Sequence, residues 1–229
     1  MKFPEKLNKE TIAYRASIEL EENSYVNLGI GLPSLCAKYI DKKKNIKFQA
    51  ENGVLGFDEL SEKKVQNPNY MDAGGQFLSQ KPGMSFFDSA ESFSMIRAGY
   101  IDVTILGGMQ VSKNGDLANW MIKDRGIGSI GGAMDLVSGA KKVIVTMEHI
   151  TKENQYKILN NCNFPLTGKN CVDKIITDIA VIDVTNEGLV IKEIAPKWNF
   201  DMVQELTESK LLIKGEVENY KINSSNDGQ

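Results

Sequence analysis

Apolar positions along the chain fall in two rhythms, one helical and one of short strand-like runs, and the two alternate from the amino end onward. Over residues 9–22, Ile12, Ala13, Ala16 and Leu20 share one face at helical spacing. Tyr25–Leu28 reads as a strand. Pro33 is well placed as the first residue of a helix over 33–40, because its missing N–H costs nothing there. A short strand over 46–49 runs into the turn signal Glu51-Asn52-Gly53. Asp88 and Glu91 form a capping-box pattern that opens a helix, and Gly99 stops it. Residues 101–106 and 143–147 are near-continuous apolar runs, as expected of strands covered on both faces. Asn114-Gly115 between 109–111 and 117–122 predicts one hairpin, and Asn186-Glu187-Gly188 between 175–184 and 189–194 predicts another. The alternation points to an open, layered α/β fold with a mixed sheet. No composition break marks a second domain, so one domain is expected over 1–222, with a polar, frayed tail over 223–229.

Composition narrows the chemistry. The 229 residues carry 27 Lys and Arg against 30 Asp and Glu, a net charge of −3, which gives no electrostatic footprint for nucleic acid. The Lys42-Lys43-Lys44 run falls at the end of the 33–40 helix, where it complements the helix dipole on a solvated face. No apolar run approaches the roughly 18 residues of a membrane span, and the amino end has no apolar signal segment. A cytoplasmic protein is expected. Cys36, Cys162 and Cys171 make an odd set with no C-x-x-C, so neither a disulfide framework nor a zinc cluster is suggested, and they read as small apolar packing residues. With His149 as the one histidine, paired-histidine metal sites are excluded, and no G-x-S-x-G elbow accompanies it. His149 reads as a structural, hydrogen-bonded residue.

Sixteen of the 20 glycines lie between Gly29 and Gly139, which makes the first two-thirds of the chain the place to look for a site. Gly29-Ile30-Gly31-Leu32-Pro33 joins a strand to a helix start that could receive an anion. Gly126-Ile127-Gly128-Ser129-Ile130-Gly131 matches G-x-G-x-x-G literally, and Glu148 stands where a ribose-binding acid would, so a nucleotide-binding module competes. Against it, Lys123-Asp124-Arg125 separates the loop from its strand, and 132–138 leaves barely two helical turns. Glu51 closes a strand at the sheet edge where open α/β folds place ligands; taken by itself it is a base, a ligand, a nucleophile or a turn acid facing water.

Taken together, Asn27-Leu28-Gly29-Ile30-Gly31-Leu32-Pro33, Glu51-Asn52-Gly53, Asp72-Ala73-Gly74-Gly75-Gln76, Phe87-Asp88-Ser89-Ala90-Glu91-Ser92-Phe93, Gly115-Asp116-Leu117-Ala118-Asn119-Trp120-Met121, Gly131-Gly132-Ala133-Met134-Asp135-Leu136-Val137 and Met147-Glu148-His149 resemble the B subunit of the 3-oxoacid CoA-transferase family, which includes the butyrate–acetoacetate and acetate–acetoacetate enzymes. The likeness runs from about Thr11 to Ile213. It implies an open α/β/α fold with a mixed, mainly parallel sheet, and it puts the catalytic glutamate at Glu51. It also implies ping-pong transfer of CoA from acetoacetyl-, butyryl- or acetyl-CoA to a short-chain acid through a glutamyl-CoA thioester. Gly132, with Gly131 and Ala133, is the implied oxyanion site. Asn27, Gly29, Gly31, Gln76 and Met134 match positions that look like CoA or active-site contacts. The resemblance implies no metal and no cofactor, CoA being a substrate carried covalently, and it implies an A subunit in an A₂B₂ heterotetramer. A carboxylate, ionised at pH 7 without a helper base, suits a chain with one histidine. Departures stand at Ala50, where many relatives have Ser, at 57–60, at 123–126, and at Gly75, where animal mitochondrial members have Lys. An acyl-CoA hydrolase on the same scaffold is the other enzymatic reading.

Overall fold

The computed structural model describes residues 3–57, 67–122, 126 and 128–223. In chain order the elements are α1 (Lys9–Ile18), β1 (Tyr25–Leu28), β2 (Lys47–Ala50), β3 (Val54–Phe57), β4 (Ser85–Phe86), α2 (Ser89–Arg97) and β5 (Val103–Gly107). They continue with β6 (Gln110–Ser112), β7 (Leu117–Ala118), α3 (Ala133–Gly139), β8 (Lys142–Thr146), β9 (Ile158–Leu159) and β10 (Lys174–Ile176). β11 (Ala180–Thr185), β12 (Gly188–Ile194), α4 (Phe200–Glu205) and β13 (Leu211–Asn219) complete them. Among the described residues, ten strands form one sheet in the order β13-β12-β11-β10-β8-β5-β1-β2-β3-β4. Its centre, β10-β8-β5-β1-β2, is parallel throughout, and antiparallel pairs flank it on both sides. β7-β6-β9 form a small second sheet.

Strand alternation sorts the core into two layers. Val143 and Val145 of β8 face a cluster that holds Ile96 of α2 and Leu136 of α3, while Ile144 between them faces Ile12, Ala13 and Ala16 of α1. Helices therefore cover both faces, the expected α/β/α arrangement with a mixed, mainly parallel sheet. Each large aliphatic side chain so buried contributes roughly 1.5–3 kcal/mol. The caps follow the sequence: Asn8 accepts from the Thr11 N–H, and Asp88 accepts from the Glu91 N–H, both at 2.8 Å.

Three expected elements differ. The first helix ends at Ile18 instead of reaching 22, although Leu20 stays buried. The segment after Pro33 is a 3-10 helix over Pro33–Tyr39, and Lys42–Lys44 form a separate 3-10 turn capped by Asp41. The expected strand over 175–184 is two antiparallel strands, β10 and β11. Its chain reverses because the Thr177 hydroxyl accepts from the N–H groups of Ile179 and Ala180, at 3.3 and 3.0 Å. Both expected hairpins form, although the second arm of the first is Leu117–Ala118 alone and does not reach 122. The tail from 224 on, 58–60 and 123–125 lie outside the described residues.

Candidate active site

β1, β2, β5 and β8 run parallel, so their carboxyl ends open on one edge, and the residues just beyond them line a cleft of about 570 Å³. Gly29 and Ile30 come from the β1 end, Glu51 from the β2 end, Gly107 and Gly108 from the β5 end, and Glu148 from the β8 end. Gly131, Gly132 and Ala133 enter from the start of α3. A smaller cavity of about 70 Å³ shares Gly29, Ile30 and Glu51 with it and is also lined by Gln76. Glu51 therefore belongs to both.

The turn at Glu51 is built for that place. The Gly53 N–H donates to the Ala50 carbonyl and the Phe87 N–H to the Gly53 carbonyl, both at 3.0 Å. At φ +111°, a β-carbon on Gly53 would stand 1.9 Å from the Phe87 carbonyl oxygen, so only glycine fits. Asn52 donates to the Met71 carbonyl at 2.8 Å, tying the turn to the loop that carries Gln76. Asp72 shapes that loop by accepting from the N–H groups of Gly74 and Gln76, each at 2.8 Å.

The Glu51 carboxylate is half-buried, and Asn27 Nδ2 donates to its Oε2 at 3.0 Å. The same Nδ2 donates to Gln49 Oε1 at 2.8 Å and lies 3.1 Å from the Gln49 carbonyl. Gln49 Nε2 donates to Ser92 Oγ at 2.6 Å, and Ser92 Oγ donates to the Ala50 carbonyl at 3.2 Å. All three side chains are buried. Asn27 and Gln49 are register partners on adjacent strands, which is why their side chains meet. Asn27 Oδ1 is buried without a partner among the described residues, at a cost of about 1–3 kcal/mol. A buried amide that leaves its acceptor unpaired is held by its donor side.

Gly132 approaches the acid from the opposite side. A β-carbon there would meet Glu51 Cγ and Phe93 Cζ, each at 3.2 Å, so its missing side chain is what lets α3 close on the acid. The Ala133 N–H already donates to the Ile130 carbonyl at 3.2 Å. Among the described residues, nothing accepts from the Gly132 N–H. Lys9, Glu148 and Lys157 also line the cleft. Burial pulls the Lys157 ammonium down to about 8, against the attraction of Glu148 and Asp178 and with the repulsion of Lys6.

The sequence candidates thus separate. Glu51, Gly29, Gly131, Gly132 and Ala133 line the large cleft, Gln76 lines the small cavity, and Asn27 bonds Glu51 from below. Gly31, at φ +88°, and the half-exposed Met134 line neither cavity. Gln49 and Ser92 were not foreseen. Their signal is a polar residue at a core position, Gln49 in a four-residue strand and Ser92 one turn before the buried Ile96. The dinucleotide reading loses its context: among the described residues the last strand before Gly126 is the two-residue β7 of the small sheet, and α3 has seven residues. Residues 123–125 and 127 of that segment lie outside the described residues. His149 is fully buried between the hydroxyls of Thr177 and Thr207, each at 2.9 Å, and lines neither cavity. Burial, with Lys6 and Lys157 nearby, lowers its pKa to about 3. Cys36 is buried, while Cys162 and Cys171 are partly so, and all three are free thiols.

Comparison with known proteins shows the family. The model of the coenzyme A transferase family matches residues 9–206. The B subunit of the Helicobacter pylori succinyl-CoA:3-ketoacid coenzyme A transferase is 48% identical over 206 residues, which cover 90% of this chain and 99% of that one. The B subunit of the Acinetobacter baylyi 3-oxoadipate CoA-transferase is 42% identical, over 90% of this chain and 96% of its own. Among solved structures, the acyl-CoA transferase apoenzyme of Escherichia coli O157:H7 superposes with a TM-score of 0.76 at 18% identity, which speaks for the fold alone. The match spans 96% of this chain and 44% of that longer one. On the family match and these relatives, the chain belongs to the coenzyme A transferase family, as a B subunit of the 3-oxoacid type.

Proposed function

We propose that the chain supplies the covalent nucleophile, Glu51, of a ping-pong CoA-transferase. The observation that carries this reading is the half-buried Glu51 carboxylate, held by Asn27 and closed upon by Gly132 in the mouth of the cleft. Glu51 attacks the thioester carbonyl of an acyl-CoA, forming an acyl-glutamyl anhydride and releasing CoA thiolate. The thiolate attacks the glutamyl carbonyl, which yields a glutamyl-CoA thioester and frees the first acid. A second acid reverses both steps, so one acyl-CoA and one carboxylate exchange partners with no net redox change. Each tetrahedral step needs a donor for its oxyanion, worth roughly 2.7–4 kcal/mol. The Gly132 N–H suits this role better than that of Ala133, which is already engaged. A carboxylate is a weak nucleophile, and binding energy from the remote parts of CoA compensates by driving the reacting groups together. No metal or cofactor enters this scheme.

The names of the relatives favour a 3-oxoacid on one side of the exchange. We take acetoacetyl-CoA as the donor to try first, with acetate or butyrate as acceptors. Those relatives are named as B subunits, so we infer an A subunit that completes the open cleft, in an A₂B₂ assembly acting in the cytoplasm. The test is to assemble the chain with its A subunit, add acetoacetyl-CoA, and map CoA adducts by mass spectrometry. An adduct on the Glu51 peptide, discharged by added acid and absent from Glu51→Gln, is the expected result. CoA release that ignores added acid would replace transfer by hydrolysis, and full transfer by Glu51→Gln would end the proposal.

A further inference from the structure

We propose that Ser92 and Gln49 are positioning residues that determine which end of the Asn27 side-chain amide faces Glu51. The inference rests on the reading of Glu51 as the nucleophile. A carboxamide has a donor end and an acceptor end of nearly equal size, so shape alone does not choose between them. With its nitrogen toward Glu51, Asn27 anchors Oε2, and among the described residues nothing donates to Oε1, which is left for attack. With its oxygen there, two acceptors would face each other and the carboxylate would swing away.

One hydroxyl proton feeds into the choice through the Gln49 side chain. Ser92 Oγ has a single hydrogen, and it goes to the Ala50 carbonyl at 3.2 Å. Ser92 Oγ must then accept from Gln49, at 2.6 Å, which turns the Gln49 nitrogen toward Ser92 and its oxygen toward Asn27. Gln49 Oε1 in turn requires a donor, so Asn27 presents Nδ2, at 2.8 Å; the Gln49 main-chain carbonyl, 3.1 Å away, calls for the same end, and the nitrogen reaches Glu51 Oε2 at 3.0 Å. The unpaired Asn27 Oδ1 marks this as an imposed orientation, since the amide accepts nothing in return. Bulk solvent does not compete along the way, because Ser92, Gln49 and Asn27 are 0%, 1% and 1% exposed. The relay runs from the buried face of α2, across β2 to β1, and back to the turn at the end of β2.

Steady-state kinetics on the enzyme assembled with its A subunit test this. Ser92→Ala and Gln49→Met should each lower kcat by about 10–100-fold, the scale of a misaligned reacting group, with KM for the acyl-CoA unchanged. Ser92→Thr, which keeps the hydroxyl, should retain most of kcat. In an Asn27→Ala background, where there is no amide left to orient, Gln49→Met should add almost nothing. That non-additivity separates a positioning role from a general loss of structure, and it decides the matter even where the threonine variant does not fold. Wild-type kcat in Ser92→Ala and Gln49→Met, or full additivity of Gln49→Met with Asn27→Ala, would overturn the inference. Inactive Glu51→Gln alongside such a result would leave Glu51 as the nucleophile and remove only the relay, whereas active Glu51→Gln would remove the reading beneath it.

Discussion

A methyl group at position 132 would stand 3.2 Å from both Glu51 Cγ and Phe93 Cζ, closer than side chains ordinarily settle. The backbone there has φ −86°, which alanine adopts without strain, so the clash is the whole effect. Gly132→Ala is therefore expected to unfold within about 1 kcal/mol of wild type while kcat falls at least about tenfold, as Glu51 is pushed off its Asn27 anchor. Urea denaturation beside steady-state kinetics checks this, and equal activity would mean that Glu51 has room to move. Glu51 and Gly132 could be recognised in the sequence through the family resemblance of their motifs, and the structure gives Gly53 and Gly132 in those motifs a steric reason to be glycine. Gln49 and Ser92 leave only the mark of a polar residue at a core position, because the role proposed for them lies in which atom donates to which, and residue type does not report that. Met134 shows the converse: it shares a motif with Gly132, yet two residues on, about 200° around the helix, it points out to 43% exposure.

At the scale of elements, local chemistry was legible and termination was not. Asn114-Gly115 and Asn186-Glu187-Gly188 each place a hairpin where it forms, and Asp88 caps α2 as its spacing implies. The β10–β11 reversal was hidden, since Ile175 to Val184 is apolar almost throughout and one threonine hydroxyl makes the turn. β13 was missed for the opposite reason: an edge strand carrying Lys214, Glu216 and Glu218 shows no buried face. Helix α1 likewise owes its seat to a contact 178 residues away. Arg15 is buried and binds Glu193 through Nε and Nη2 at 2.8 and 2.7 Å, and Glu19 through Nη1 at 2.8 Å. Arg15→Met leaves Glu193 in the core with, among the described residues, the Lys221 backbone N–H at 3.2 Å and the Lys221 ammonium at 3.8 Å, and should cost roughly 3–5 kcal/mol in urea unfolding. Adding Glu193→Leu should recover most of that loss, and if it does not, packing rather than charge holds α1 in place.

For the molecule as a whole, alternating strands and helices announced a layered α/β fold, but the order of strands in the sheet follows from long-range pairing that periodicity cannot report. The same holds for the net balance of buried titratable groups, which sets how the fold responds to acid. His149 has a folded pKa of about 3 against an ordinary 6.5, from burial first and then from Lys6 and Lys157. The unfolded chain therefore takes up a proton before the folded one does. Stability from this group is complete above pH 6.5 and is lost as pH falls from 6.5 toward 3, at up to about 1.4 kcal/mol per pH unit. Glu19 has its own folded pKa near 2: burial acts to raise it, and Lys142, Lys174 and Arg15 more than offset that. Its contribution is present above about 4.5 and fades only below that, so the two losses should appear in sequence, histidine first. Asp178, whose pKa burial raises, works in the opposite sense and softens the descent. Unfolding free energy measured by urea titration at intervals from pH 7 to 5 should thus decline in the wild type. In His149→Gln, which keeps a side chain able to bond Thr177 and Thr207, the same interval should be nearly flat, whatever the variant's absolute stability. Parallel slopes for the two proteins would show that the acid sensitivity of this fold arises elsewhere than in its one histidine.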